Sequence, residues 1–400
     1  MKCFLSFPIV FLLAGIAQGE IQVETDFPGG SGAVTNIDQS TGWIQLDPAD
    51  HPGKGWRCWW YVRLVGLQPQ QTITLDVGNA PWATPDRATY SEDGGKTWVQ
   101  TGKGVREDKR IRYSLQLNEP TALIAWGPPF VPADSQALVD SLASRNPDAT
   151  AFSLCETRGG LSTPALRIGK RQHSDVGANR SLIWIQARQH AWESGSSWVC
   201  KGLAEWIISD APEAANLRKQ FEIVIVPVMD IDNVQLGAGG KNQKPQDHNR
   251  DWSDAPHWNA VAAAQKEIKT AAELGRLAAF IDLHNPGADS VFPYFYVPPQ
   301  DALSEVAQAN LDHFVQAAKA EMVGPLRFTG KTIESGASYD PKAWTRISKN
   351  WVANLGTDAI SVTLETSWNT AESTTSGYQT VGSQLGKALA RHFADHQIAE

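Results

Sequence analysis

The segment IQARQHAWESGSSWVCKGLAEWI, Ile185 to Ile207, sets His190 three residues before Glu193, where an apolar run stops and a helical pattern starts. An imidazole and a carboxylate are two of the donors a protein offers zinc. A second histidine, His284, ends the apolar run LAAFIDLHN, and Asp282 lies two residues earlier on the same face of that strand. His190, Glu193 and His284 would make a His₂Glu set, which leaves the fourth position of a tetrahedral ion to water. The late run SVTLETSW carries Glu365. A carboxylate at the end of so apolar a strand is costly without a partner. A metal-activated water is such a partner, with Glu365 as its general base. In DHNRDW, Arg250 offers a bidentate fork to a carboxylate, and Asn249 an amide N–H beside it.

Each piece alone has a plainer explanation. With nine histidines, roughly half a His-x-x-Glu match arises by chance. His190 could be capped by local backbone with Glu193 solvated, His284 could be a core histidine bonded to Asp282, and Glu365 could pair with a cation elsewhere. An Asn-Arg pair on a surface is common. Position argues for the chemical reading: His190, His284 and Glu365 all fall where strands end, which is where open α/β sheets place ligands.

The elements around these residues predict an α/β domain. Strand-like runs start at Ser181 (SLIWIQARQ), Phe221 (FEIVIVPVM), Leu277 and Ala359. Helical patterns start at Ser197, Trp258, Asp301 and Gly382, and the alternation points to a mixed, mostly parallel sheet flanked by helices over residues 133–400. Residues 20–132 read differently. CWWYVRLVGL and QTITLDVGN alternate or run apolar between Gly, Pro and Asn, which predicts a small all-β sandwich. YSEDGGKTWVQTG reads as a hairpin, with Tyr90 and Trp98 flanking an Asp-Gly-Gly turn. WGPPFVPADS reads as the linker.

Residues 1–19 read as a secretory signal: Lys2, an apolar stretch from Phe4 to Ile16, and small residues Ala17 and Gly19 before Glu20. The expectation is a secreted or periplasmic protein. No later segment is apolar for long enough to cross a membrane. A net charge of −8 with no compensating basic run disfavours a nucleic-acid partner. Beyond the signal stand Cys58, Cys155 and Cys200, enough for at most one internal disulfide.

In order along the chain, these motifs resemble the zinc metallocarboxypeptidases. PVMDIDNV followed by DHNRDW is similar to the family pattern Pro-x-x-Asn-x-Asp-Gly and then Asp-x-Asn-Arg-x-Trp. His-x-x-Glu before it, Asp-x-His after it and a late strand glutamate complete the order. The Trp-rich CWWYVRLVG resembles the sandwich of the branch that includes the cytosolic carboxypeptidases. The resemblance covers most of residues 21–396. It implies one zinc held by His190, Glu193 and His284, with Glu365 as base and Asn249 and Arg250 on the substrate's terminal carboxylate. Tyr339, in ESGASYDPKAW, falls about where the family has a mobile substrate-side tyrosine. The activity implied is hydrolysis of a peptide or small amide next to a free carboxylate. Two departures stand out. The family polarises the scissile carbonyl with an arginine upstream of its Asn-Arg pair, whereas this chain has GAGGKNQKPQ, leaving Lys241, Gln243, Lys244 or the metal alone for that role. Asn233 stands where the family usually has glycine. These departures keep open the alternative of a peptide or cell-wall-stem binding protein without turnover. SEDGGKTW (Ser91–Trp98) also fits the Asp-box of sialidase propellers, but a propeller needs several copies and there is one.

Overall fold

The computed structural model describes residues 19–78, 80, 84–169 and 180–397. The signal sequence read at 1–19 lies, apart from Gly19, outside the described residues. From Gln22 to Ala125 the described chain forms two five-stranded sheets. One runs in the order Gln22–Glu24, Tyr61–Val65, Thr121–Ala125, Thr89–Ser91, Val99–Gln100. The other runs Ala33–Asp38, Trp43–Asp47, Gln71–Val77, Arg110–Leu117, Val105–Glu107, with one parallel pairing between Trp43–Asp47 and Gln71–Val77. Alternate residues point inward. Ile73, Leu75, Ile111, Tyr113 and Leu115 of one sheet share a core with Val62, Leu64 and Ile124 of the other, which makes a sandwich. The Asp-box stretch is a turn closed on itself. The Asp93 carboxylate accepts from Thr97 N (2.9 Å), Thr97 Oγ1 (2.6 Å) and Ser91 Oγ (2.7 Å). The returning strand begins at Val99, one residue after Trp98.

The remaining chain builds an eight-stranded sheet in the order Ala149–Glu156, Ser162–Ile168, Phe221–Val226, Ser181–Ala187, Leu277–His284, Ile360–Glu365, Tyr294–Val297, Thr332–Glu334. The four central strands, Phe221–Val226 through Ile360–Glu365, are parallel to one another, and antiparallel pairings flank them. The central strands are buried along their length except at Ser181 and Ala278, which are half-buried, because both faces are covered. Ile183, Ile185, Ile223 and Ile225 pack with the helices Ser194–Ile208, Glu305–Glu321 and Thr375–Gln397, while Leu182, Trp184, Val224 and Val226 pack with Asn259–Glu273 on the other side.

Helix starts differ from the sequence pattern in an instructive way. The helical pattern that the sequence starts at Ser197 begins three residues earlier, so the Ser/Gly stretch after Glu193 is the first turn of the helix Ser194–Ile208. Its small residues have low helix propensity, yet they are what allows close approach. A Cβ on Gly195 would lie 2.5 Å from Cζ of Tyr378 in the C-terminal helix. Ser196 N, in the first turn where helix donors lack full i−4 partners, donates to the Glu193 carbonyl at 3.1 Å and to Asn285 Oδ1 at 3.0 Å. The C-terminal helix likewise begins at Thr375, seven residues before Gly382. The linker is shorter than its sequence suggests, because Pro132 opens the helix Pro132–Arg145 and Asp134 caps it, accepting from Val131 N at 2.7 Å.

Candidate active site

The parallel strands end in a common cleft. Ala187 leads through a tight turn to His190, and Glu193 then sits at the N-cap of the next helix. His284 and Glu365, the last residues of neighbouring strands, are register partners. Nδ1 of His190 lies 2.7 Å from one Glu193 oxygen and Nδ1 of His284 lies 2.7 Å from the other. One ligand atom from each of the three residues fits within a 4.8 Å span, and all three are buried. The opposite ring nitrogens are anchored. His190 Nε2 is 3.1 Å from Asp247 Oδ1, and His284 Nε2 is 3.0 Å from Asp282 Oδ2. Asp282 also accepts from Gln189 Nε2 (2.6 Å) and Ser348 Oγ (2.7 Å), so its position is fixed. Imidazoles with one nitrogen turned inward and the other on a carboxylate form the usual outer support of a metal site.

Electrostatics fit a cation at the centre. Burial opposes charge on Glu193, but the imidazoles of His190 and His284 hold its carboxyl well below the ordinary range. Burial also opposes charge on His284, and Asp282 and Glu193 outweigh it, so this imidazole stays protonated well above the ordinary histidine range. Such a cluster, rich in carboxylate, stabilises positive charge. Glu365 is different. Burial pushes its carboxyl up to about 7, and Oε2 is buried without a hydrogen-bond partner. An orphaned oxygen beside a His₂Glu set fits a metal that carries a water: the set would hold the ion, and Glu365 would meet the water.

His190, Glu193, His284, Asn249, Arg250, Tyr339 and Glu365 all line one cavity. The Arg250 guanidinium is held at the cavity wall, Nε donating to Asp340 Oδ2 (2.8 Å) and Nη1 to the Asn249 carbonyl (2.9 Å). Asn249 is bound into the frame: its Oδ1 accepts from Ser348 N at 3.0 Å, and its amide nitrogen lies 3.4 Å from His284 Nε2. Tyr339 is exposed at the mouth and its ring packs on Tyr296, centroids 5.1 Å apart. Three residues that the motifs did not single out belong here. Asp247 stood inside DHNRDW as an unassigned letter. Lys349 is a buried lysine lining the same cavity, with Nζ donating to Ser335 Oγ and Asn350 Oδ1. Trp56 reaches in from the sandwich. No sequence signal separates Lys349 from a surface lysine. Asn233, the departure from glycine, bonds Asp230 and Gln243 below the site (2.8 and 2.7 Å). Cys58, Cys155 and Cys200 are all free thiols.

The zinc carboxypeptidase family pattern matches residues 135–393. This chain belongs to the zinc carboxypeptidase family. Among relatives it is 28% identical over 205 residues to cytosolic carboxypeptidase 1 of Homo sapiens, covering 47% of this chain and 17% of that protein. It is 33% identical over 176 residues to cytosolic carboxypeptidase 2 of Xenopus tropicalis, covering 40% and 18%. The match thus spans less than a fifth of those relatives' length. In fold it is similar to a metallo-carboxypeptidase from Burkholderia cenocepacia, with TM-score 0.80 and 20% identity over 94% of this chain and 100% of that one. It is also similar to one from Pseudomonas aeruginosa solved with (2-guanidinoethylmercapto)succinic acid, with TM-score 0.76 and 18% identity over 94% and 99%. The family and branch read from the motifs stand, and with them zinc as the family's metal and an α/β fold preceded by a β-rich region.

Proposed function

We propose that this zinc carboxypeptidase hydrolyses the bond before a free C-terminal carboxylate, with His190, Glu193 and His284 as ligands of a single zinc. The observation that carries the reading is the meeting of two inward Nδ1 atoms, the Glu193 carboxylate and the orphaned Glu365 oxygen in one cavity. Zinc, when bound, supplies Lewis acidity and makes water a nucleophile near neutral pH. Glu365 takes a proton from the attacking water and delivers it to the leaving amine. Asp247 and Asp282 keep the two imidazoles oriented. Arg250 holds the substrate's terminal carboxylate, which fixes the scissile carbonyl relative to Glu365. Tyr339 covers the bound residue from the mouth. Lys349 is the basis for a preference: a buried ammonium in the cavity favours a terminal residue with an acidic side chain.

A binding protein without turnover has no use for an unpaired buried carboxylate at the metal, so Glu365 favours the enzyme. Elemental analysis of purified protein, with mass profiling of peptides offered as free acids and as C-terminal amides, tests the reading. Stoichiometric zinc and single-residue losses confined to free acids are expected. Zinc-loaded protein that binds peptides and cleaves none would overturn it in favour of the binding alternative. Export is part of the proposal and rests on Lys2, the apolar Phe4–Ile16 stretch and the small residues before Glu20. N-terminal sequencing of the protein recovered from the producing cell should begin at Glu20; protein retained in the cytosol with Met1 intact would remove it.

A further inference from the structure

Three residues of one loop could replace the carbonyl-polarising arginine, and the fold treats them differently. Gln243 is buried below the site. Its amide donates to Asp230 Oδ2 at 2.9 Å, its oxygen accepts from Asn233 at 2.7 Å, and its amide nitrogen lies 2.7 Å from His248 Nδ1. Lys244 is exposed to solvent. Lys241 alone of the three lines the cavity. Its Nζ stands 3.5 Å from His190 Nε2 and 5.9 Å from the Trp56 ring centroid, and its charge is among those that Glu365 and Asp247 feel.

The sandwich fixes this loop. Three backbone hydrogen bonds join residues 53–56 to residues 240–244: Trp56 N to the Lys241 carbonyl (2.9 Å), Gly240 N to the Lys54 carbonyl (2.8 Å) and Lys244 N to the Gly53 carbonyl (2.7 Å). The two backbones touch because glycines meet there. A Cβ on Gly239 would lie 2.0 Å from the Trp56 oxygen, and one on Gly55, at φ +92°, would lie 2.6 Å from the Lys241 oxygen. A flexible four-carbon amine is thus carried on a backbone clamped from outside the sheet.

We propose that Lys241, clamped by the sandwich loop 53–56, is the cation that receives the negative charge developing on the scissile carbonyl oxygen. The inference rests on the hydrolase reading above. As water oxygen bonds to the carbonyl carbon, the π pair moves to the carbonyl oxygen and the water proton passes to Glu365. The Lys241 ammonium donates an N–H to that oxygen without giving up its proton. When the C–N bond breaks, the pair returns to re-form the carbonyl, and the amine leaves with the proton from Glu365. A donor aimed at charge that exists only in the transition state raises kcat and leaves ground-state binding alone.

The test uses the full chain loaded with zinc. Lys241→Met should keep stoichiometric zinc by elemental analysis and keep KM within about twofold, while kcat falls on the order of 10²–10³-fold. It should also weaken a phosphinate peptide analogue, which presents an oxyanion, by a similar factor, with the affinity for the free terminal amino acid unchanged by calorimetry. Lys241→Arg should restore at least a tenth of the wild-type kcat, and Lys244→Met should match wild type. Equal kcat in wild type and Lys241→Met, or a loss that appears in KM and in amino-acid affinity with phosphinate binding intact, overturns the role of Lys241 and leaves the hydrolase reading standing. Loss of zinc in Lys241→Met would also overturn it, making Lys241 a support of His190. A zinc-loaded wild type that cleaves nothing removes the hydrolase reading and this proposal together.

Discussion

Replacing Lys349 with methionine should stabilise the protein near neutral pH while damaging its selectivity. Lys349 is 1% exposed and its ammonium has been taken out of water. Burial pushes its pKa from 10.5 down to about 7, against the partial support of Asp282. Between those two values the unfolded chain binds a proton that the folded chain does not, so wild-type stability rises with pH across that window. Below about 7 both states are protonated and the full cost of the buried charge is carried. One pH unit corresponds to ~1.4 kcal/mol, so the separation from 10.5 to about 7 amounts to a cost on the order of 4–5 kcal/mol at low pH. Methionine has similar length and no charge, but it abandons the bonds to Ser335 and Asn350, about 1 kcal/mol each. The expected net gain at pH 7 is therefore ~2–3 kcal/mol. Urea unfolding of both proteins at pH 7, 8 and 9, followed by tryptophan fluorescence, reads it. The variant's advantage should shrink by ~1.4 kcal/mol per pH unit as pH rises. In parallel it should lose its preference for acidic over neutral terminal residues. An advantage that does not change with pH, or a variant less stable than wild type at pH 7, would refute the buried-ammonium reasoning.

Three further outcomes are expected. Glu365→Gln keeps the shape of the side chain and cannot accept a proton; it should retain zinc and substrate affinity and lose about 10²–10⁴-fold in kcat, and near-normal turnover with zinc confirmed would remove Glu365 as base. Asp247→Asn should weaken zinc binding roughly 10–100-fold in a chelator competition, because His190 Nε2 loses its anchor; unchanged affinity would mean the anchor contributes nothing. Arg250→Ala should cost roughly 2–5 kcal/mol in kcat/KM on free-acid peptides and far less on their C-terminal amides, and equal losses on both would rule out carboxylate recognition.

How much of the candidate site could be read from the chain depended on whether a residue of the cavity stood at the end of an element or was brought from far away. His284 and Glu365 were legible because polar residues that close apolar strands are conspicuous against the burial of those strands, and His190 because it follows such a strand by three residues. The two-layer β region and the parallel sheet were legible from the periods of Ile73, Leu75 and Val77 and of FEIVIV. What stayed hidden was tertiary. The first turn of the helix Ser194–Ile208 reads as a loop because serine and glycine have poor propensity, and its stability comes from Asn285 and from packing against the C-terminal helix. Lys349 carries no local mark of burial. The choice among Lys241, Gln243 and Lys244 could not be made without knowing that Gln243 is bonded to Asp230, ten or more residues away in sequence.

The contacts at residues 53–56 also change what the β-sandwich means for the site. It could have been an independent module tethered by a linker, since it has its own core. Its Trp126 ring instead packs on Trp192, next to Glu193, at 5.3 Å, and on Trp368, three residues after Glu365, at 4.4 Å. Arg188, at φ +61°, joins the two parts again, donating to the carbonyls of Phe130 and Ala191 at 2.8 Å each. A non-glycine residue in that conformation costs on the order of 1–3 kcal/mol and persists only where its surroundings require it. Here the surroundings are the linker on one side and the His190–Glu193 turn on the other. The sandwich therefore braces the turn that carries His190 and Glu193 and the loop that carries Lys241, and the geometry of the proposed site depends on a region that adds only Trp56 to its cavity.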